Sequence, residues 1–173
     1  PTALAFGFGG RLYVTEQGGT MRVWRDGALL PEPFVTLPVA DDGEQGLLGV
    51  AIDPDYATTR WIYLFYTSRE GGGLARNRLV RVTADASHDR MQPGSLVVLA
   101  ELPPMSDETQ KHNGGAMHFG PDGKLYLATG DLTLFTIAQA LDNPFGKILR
   151  FNRNGTIPAD NPFYDQTTGI NRA

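Results

Sequence analysis

The chain of 173 residues is 41% hydrophobic and 20% charged, with 15 basic against 19 acidic side chains and a net charge of -4, the balance of a folded globular domain and not of a disordered or fibrous chain. The charges are interspersed, without the basic stripe that phosphate neutralisation requires, so no nucleic-acid partner is expected; no apolar run reaches the roughly 20 residues that span a bilayer. Cysteine is absent, which removes disulfides, thiolate metal sites and a cysteine nucleophile.

Pro1 opens directly into a strand-like run with neither an initiator Met nor a signal peptide, as expected of a fragment edge. The length predicts one domain over 1–173 with a core of its own. The first unit is FGFGGRLY at residues 6–13, a turn feeding predicted strands over 12–15 and 21–24. A second begins at VAIDPDY, residues 50–56, and after a small insertion yields strands over 62–66 and 78–82. The third, FGPDGKLY at residues 119–126, matches the first at five of eight positions and leads into strands over 125–129 and 147–151. Gly and Pro number 21 and 12 and fall between these runs, where tight turns need a positive or a fixed φ. One helix-compatible stretch, 135–141, is stopped by Asn143-Pro144. A meander repeated at this spacing predicts an all-β fold of about three four-stranded blades of a β-propeller, with repeats starting near residues 4, 50 and 117; a sandwich is the runner-up. A propeller closes radially, so about three blades describe a truncated ring.

His112 is the candidate general base. It precedes a strand, which puts its imidazole on the loop face, and Gly114-Gly115 behind it lets a planar ligand or sugar approach the backbone. The alternative is a loop histidine satisfied by a backbone carbonyl. Asp131 closes the strand over 125–129 and can accept a hydrogen bond from the His112 ring, fixing its tautomer; the alternative is a turn aspartate capping its own backbone. Gln45, on a glycine-flanked turn, can offer a donor and an acceptor to a carbonyl-rich ligand, or simply face water. His118 reads as structural and His88 as part of a solvated turn. Asp53, Asp55 and Asp122-Gly123 read as turn builders and not as a calcium loop, and no residue is assigned to a metal. No dinucleotide, Walker, H-E-x-x-H or G-x-S-x-G motif is present, so nucleotide and zinc chemistry drop out.

EQGLLG at 44–49, DPDY at 53–56, HNGG at 112–115, FGPDGKLY with Gly130-Asp131, GKILRFN at 146–152, GTIP at 155–158 and DNPF at 160–163 occur in this order. The set resembles the soluble glucose/sorbosone dehydrogenase family, six-bladed propellers that oxidise sugars with pyrroloquinoline quinone (PQQ). The resemblance implies that His112 takes the hydroxyl proton while a hydride passes to the quinone, that Asp131 assists it, that Gln45 contacts the cofactor and that Asn113 lines the same site. It also implies PQQ with calcium as cofactors, a sugar substrate, an external electron acceptor and a periplasmic or secreted location.

Two departures qualify the match. The segment LTLFTIAQALDNP at 132–144 is more apolar than the polar, Gly- or Asn-rich loop common in relatives, which bears on substrate preference. The family's Arg-Asn pair, its later basic contacts to the quinone and its calcium ligands fall beyond Ala173, so this chain alone is expected to bind PQQ poorly or not at all. Exposed blade edges make self-association the further expectation. The competing functional reading is a non-catalytic propeller module that binds protein or glycan. A metal-dependent lactonase would need a cluster of Glu, Asn and Asp ligands that the sequence lacks.

Overall fold

A computed structural model describes residues 1–106 and 110–173. Strands β1 (Ala3–Phe6), β2 (Leu12–Thr15), β3 (Thr20–Arg25) and β4 (Ala28–Leu29) form an antiparallel meander, and β5 (Val35–Thr36) returns to pair with the start of β3. A second meander contains β6 (Leu47–Ile52), β7 (Trp61–Ser68), β8 (Arg76–Thr83) and β9 (Val97–Glu101). The third comprises β10 (Gly114–Phe119), β11 (Leu125–Thr129) and β12 (Ile148–Phe151).

The first strand of the second sheet, β6, packs against both β1 and β10. Leading strands side by side, with successive sheets fanning from them, make the radial arrangement of propeller blades and not a two-sheet sandwich. Among the described residues the blades are uneven: five strands in the first, four in the second and three in the third, where four in each were expected.

The central blade explains the pattern of its own sequence. Along β7, Ile62, Leu64 and Tyr66 join the core shared with Tyr13, Met21 and Val23 of the first sheet. Tyr63 and Phe65, pointing the other way, join Met117, Leu127, Leu149 and Phe151 of the third. A strand buried on both faces loses the polar half of the alternation, which is why WIYLFYTS reads as one apolar run.

The repeated turn uses one device twice. Phe6 pairs with Leu12 and Phe119 with Leu125. In each case the glycine after the phenylalanine lies against the ring of the tyrosine after the leucine: a Cβ on Gly7 would stand 2.4 Å from Tyr13 Cε2, and one on Gly120 2.6 Å from Tyr126 Cε2. Only a residue without Cβ admits that ring.

Asp53 builds its turn as expected, Oδ1 accepting the Asp55 amide at 2.9 Å. It also binds blades together, because its buried carboxylate accepts the Tyr63 hydroxyl at 3.0 Å and Arg153 Nη1 at 3.2 Å. Helical structure is slight. A four-residue helix, α1 (Tyr56–Thr59), follows that turn and ends at Arg60 with φ 54°. It is too short to show a 3.6-residue period, so no pattern in the residues marks it. The stretch 135–141 forms only a 3-10 turn at Ile137–Gln139.

His118 is exposed on β10. His88 occupies a turn, but not a fully solvated one: its ring lies 5.0 Å from that of Phe8, and its Nδ1 is 3.3 Å from the Tyr56 hydroxyl.

Candidate active site

Three connections converge at one end of the blades: residues 41–46 before β6, 110–113 before β10, and 130–147 after β11. The Glu44 amide donates to the Gln110 carbonyl at 2.9 Å, and the Gly130 amide to the Asn113 carbonyl at 3.3 Å. A cleft of about 650 Å³ between the second and third blades lies at the other end, lined by Asp55, Trp61, Lys124 and Arg153, and none of the predicted site residues borders it.

His112 Nδ1 and Asp131 Oδ1 stand 2.8 Å apart, with the two side chains 45% and 22% exposed. Asp131 Oδ1 also accepts the Thr133 amide at 3.0 Å. The His112 ring, and with it the Thr133 amide, holds the Asp131 carboxyl below the usual carboxylate range, against the upward pull of partial desolvation. An ionised carboxylate only accepts, so Nδ1 carries the proton, and in the neutral ring this leaves Nε2 as the acceptor. The ring contact departs from the backbone-satisfied histidine that was one alternative, whereas Asp131 does both things at once, meeting the ring and capping its own turn through the Thr133 amide.

The backbone around the pair is strained into place. His112 has φ 53°, and Leu132 and Thr133 have φ 55° and 63°, a left-handed region that costs non-glycine residues about 1–2 kcal/mol each and clusters where surrounding structure overrides preference. Glu44 Oε2 accepts the His112 amide at 2.7 Å. Gly130 lies so close beneath that a Cβ on it would meet the His112 carbonyl oxygen at 1.7 Å.

Gln45 is fully buried, and neither its Nε2 nor its Oε1 has a hydrogen-bond partner among the described residues. It does not face water. Its loop is pinned by Gln17, whose Nε2 donates to the carbonyls of Gly43 at 2.8 Å and Gln45 at 2.9 Å.

Asn113 is buried and engaged within the protein: Nδ2 donates to the Gln110 carbonyl at 3.2 Å, and Oδ1 accepts Asn77 Nδ2 at 3.2 Å. Asn77 in turn accepts the Thr67 hydroxyl at 2.8 Å. This buried relay ties β7 and β8 to the histidine loop, and a satisfied network of that kind rigidifies what it supports.

Sequence reasoning missed Glu44, Gln17, Asn77 and Thr67. Thr67 was findable as a polar residue closing the apolar run of β7, but Asn77, between Arg76 and Arg78, carries no such mark and shows its role only as the register partner of Thr67. Lys147, within the GKILR motif, donates to the carbonyls of Ile137 and Phe145 at 3.0 and 2.8 Å and so braces the loop that carries Asp131; burial lowers its pKa. The same loop carries Phe135, 76% exposed, whose ring centroid is 6.4 Å from that of His112.

Comparison with known proteins gives a consistent set. The family described as glucose/sorbosone dehydrogenase matches residues 1–172. Aldose sugar dehydrogenase YliI of Escherichia coli (strain K12) is 33% identical over 162 residues, covering 90% of this chain and 42% of the relative. Quinoprotein glucose dehydrogenase B of Acinetobacter calcoaceticus is 30% identical over 193 residues, covering 95% and 39%. The solved structure of the PQQ-bound aldose sugar dehydrogenase of Streptomyces coelicolor superposes with a TM-score of 0.80 at 32% identity, over 94% of this chain and 47% of that one. The chain therefore spans less than half the length of these relatives.

Proposed function

The chain belongs to the glucose/sorbosone dehydrogenase family, and on that premise we propose that it is part of a PQQ-dependent dehydrogenase that oxidises a hydroxyl of an aldose or related sugar. The observation that carries the reading is the 2.8 Å contact between His112 and Asp131; Glu44, which binds the His112 amide, directly precedes Gln45, whose amide is unpartnered among the described residues.

The residues present fit the cofactor on the chemistry of Gln45. A buried amide with no protein partner is costly unless something else supplies its hydrogen bonds, about 1–3 kcal/mol for such a group. The carbonyls and carboxylates of PQQ offer acceptors to its Nε2. PQQ, when bound, supplies the acceptor for the hydride that leaves the hydroxyl-bearing carbon.

The remaining work falls to side chains of this chain. Asp131 fixes the His112 tautomer and stabilises the imidazolium that forms. His112 Nε2 takes the substrate hydroxyl proton. Asn113 supports the loop from beneath. Calcium is another matter: among the described residues no group of three or more His, Cys, Asp or Glu is placed to hold a metal ion, so no step is derived through it.

An external electron acceptor completes the cycle, and a periplasmic or secreted location accords with the family; no helix of the described residues is long and apolar enough to cross a membrane. We treat residues 1–173 as one partial propeller domain. A non-catalytic binding module would have no use for the histidine–aspartate pair, and its close geometry favours the enzyme.

Reduction of a redox dye by the full-length protein, reconstituted with PQQ and calcium and offered a panel of aldoses, tests this. The expectation is sugar-dependent turnover that requires PQQ. Absence of turnover with every aldose, at saturating PQQ, would remove the reading.

A further inference from the structure

The geometry points to Glu44 as the positioning residue of the site, a clasp whose carboxylate holds the backbone of His112 so that the imidazole meets Asp131. The inference rests on the catalytic reading above and adds to it a residue that neither sequence reasoning nor the comparisons assign.

Glu44 engages the histidine loop twice. Its amide donates to the Gln110 carbonyl at 2.9 Å, and its carboxylate accepts the His112 amide at 2.7 Å. The second bond is charge-assisted and joins residues 68 apart in sequence, on the approaches to two different blades.

His112 needs that support. Its φ of 53° lies in the left-handed region, from which an unsupported non-glycine residue relaxes to the right-handed or extended wells. Any such relaxation swings the Cα–Cβ bond and carries Nδ1 away from Asp131. The other backbone bonds nearby give less: the Leu132 amide reaches the His112 carbonyl only at 3.4 Å, and the Gly130 amide serves the Asn113 carbonyl.

Glu44 also precedes Gln45, whose loop Gln17 fixes from the first blade. One clasp therefore sets the base and the amide proposed for the cofactor in a common frame.

The test compares Glu44→Ala with Glu44→Gln, which keeps a carbonyl oxygen to accept the amide while losing the charge. Glu44 is exposed, so both variants should fold, and thermal unfolding checks that they do. In the protein without cofactor, the carboxyl of Asp131 is titrated by carbon NMR, and exchange of the His112 amide is followed.

Glu44→Ala is expected to return the Asp131 titration upward toward that of an ordinary aspartate and to speed His112 amide exchange; Glu44→Gln is expected to hold both near the parent values. In the PQQ-loaded full-length enzyme, kcat should fall about tenfold to a hundredfold in Glu44→Ala, the scale of a small misplacement of a catalytic group, and recover largely in Glu44→Gln. An unchanged Asp131 titration in a folded Glu44→Ala variant would overturn the proposal, as would an unchanged kcat. If the parent itself shows no aldose oxidation, the functional reading fails while the titration still decides whether the clasp exists.

Discussion

Gly130 and the carbonyl of His112 are in such close contact that a Cβ on the glycine would stand 1.7 Å from the carbonyl oxygen. The approach brings the strand end that carries Asp131 under the histidine loop. A methyl group there must push the two loops apart. Gly130→Ala is therefore expected to lower stability by roughly 1–3 kcal/mol, the ordinary range for a steric core substitution, and to abolish sugar oxidation. Chemical denaturation and dye reduction measure the two effects; a Gly130→Ala protein with parental activity would show that the loops need not touch.

Gln45 predicts a conflict between stability and function. Its buried Nε2 and Oε1 have no protein partner among the described residues, so replacing the amide by an isosteric hydrocarbon removes a desolvation penalty of about 1–3 kcal/mol. Gln45→Leu should melt at or above the parent temperature without cofactor, yet bind PQQ more weakly in the full-length protein. Calorimetry with and without PQQ checks both. A variant that is markedly destabilised, or one that binds PQQ as tightly as the parent, contradicts this assignment.

Much of this was readable from residues. The strand pairs were legible because the FG…LY turns recur and because apolar runs of strand length lie between glycines. The His112–Asp131 contact followed from a histidine before one strand and an aspartate at the end of the next, which an antiparallel hairpin brings to the same end. The Glu44 clasp was not legible, since it depends on His112 adopting a left-handed φ, and no local rule demands that of a histidine. Nor was the Asn113 side chain's engagement with Asn77, a contact between residues 36 apart that only the packing of adjacent blades creates. The three-stranded third sheet was missed because the expected fourth strand was inferred from repetition and had no apolar run of its own.

The pairing also makes a pH prediction. The folded pKa of Asp131 is depressed, chiefly by the His112 hydrogen bond. The stability it lends is therefore present above the ordinary carboxylate pKa, about 3.9, and is lost as pH falls through the lowered folded value. A carbon NMR titration should find Asp131 still ionised at pH values where exposed aspartates are half protonated, and His112→Ala should shift its midpoint upward. A normal midpoint in the parent would mean that the pair does not form in solution.

Exposed apolar side chains cluster on the two outer sheets. Phe6 and Leu4 on β1 are 83% and 61% exposed, and Ile148 on β12 is 71% exposed beside Phe163 at 49%. Residues 1–173 prepared alone should associate at micromolar concentration, because such surfaces and open strand edges are buried by contact with others. Phe6→Ser combined with Ile148→Thr should weaken the association seen by sedimentation. A monodisperse monomer across the concentration range would remove the expectation.

The most direct test of the central claim is the turnover of His112→Ala in the full-length protein loaded with PQQ. Removal of a general base costs about 10²–10⁴-fold, so sugar-dependent dye reduction should fall by at least that lower factor while PQQ remains bound, as its absorbance reports. Turnover equal to that of the parent, with PQQ bound in both, would show that His112 does not take the substrate proton and would contradict the account.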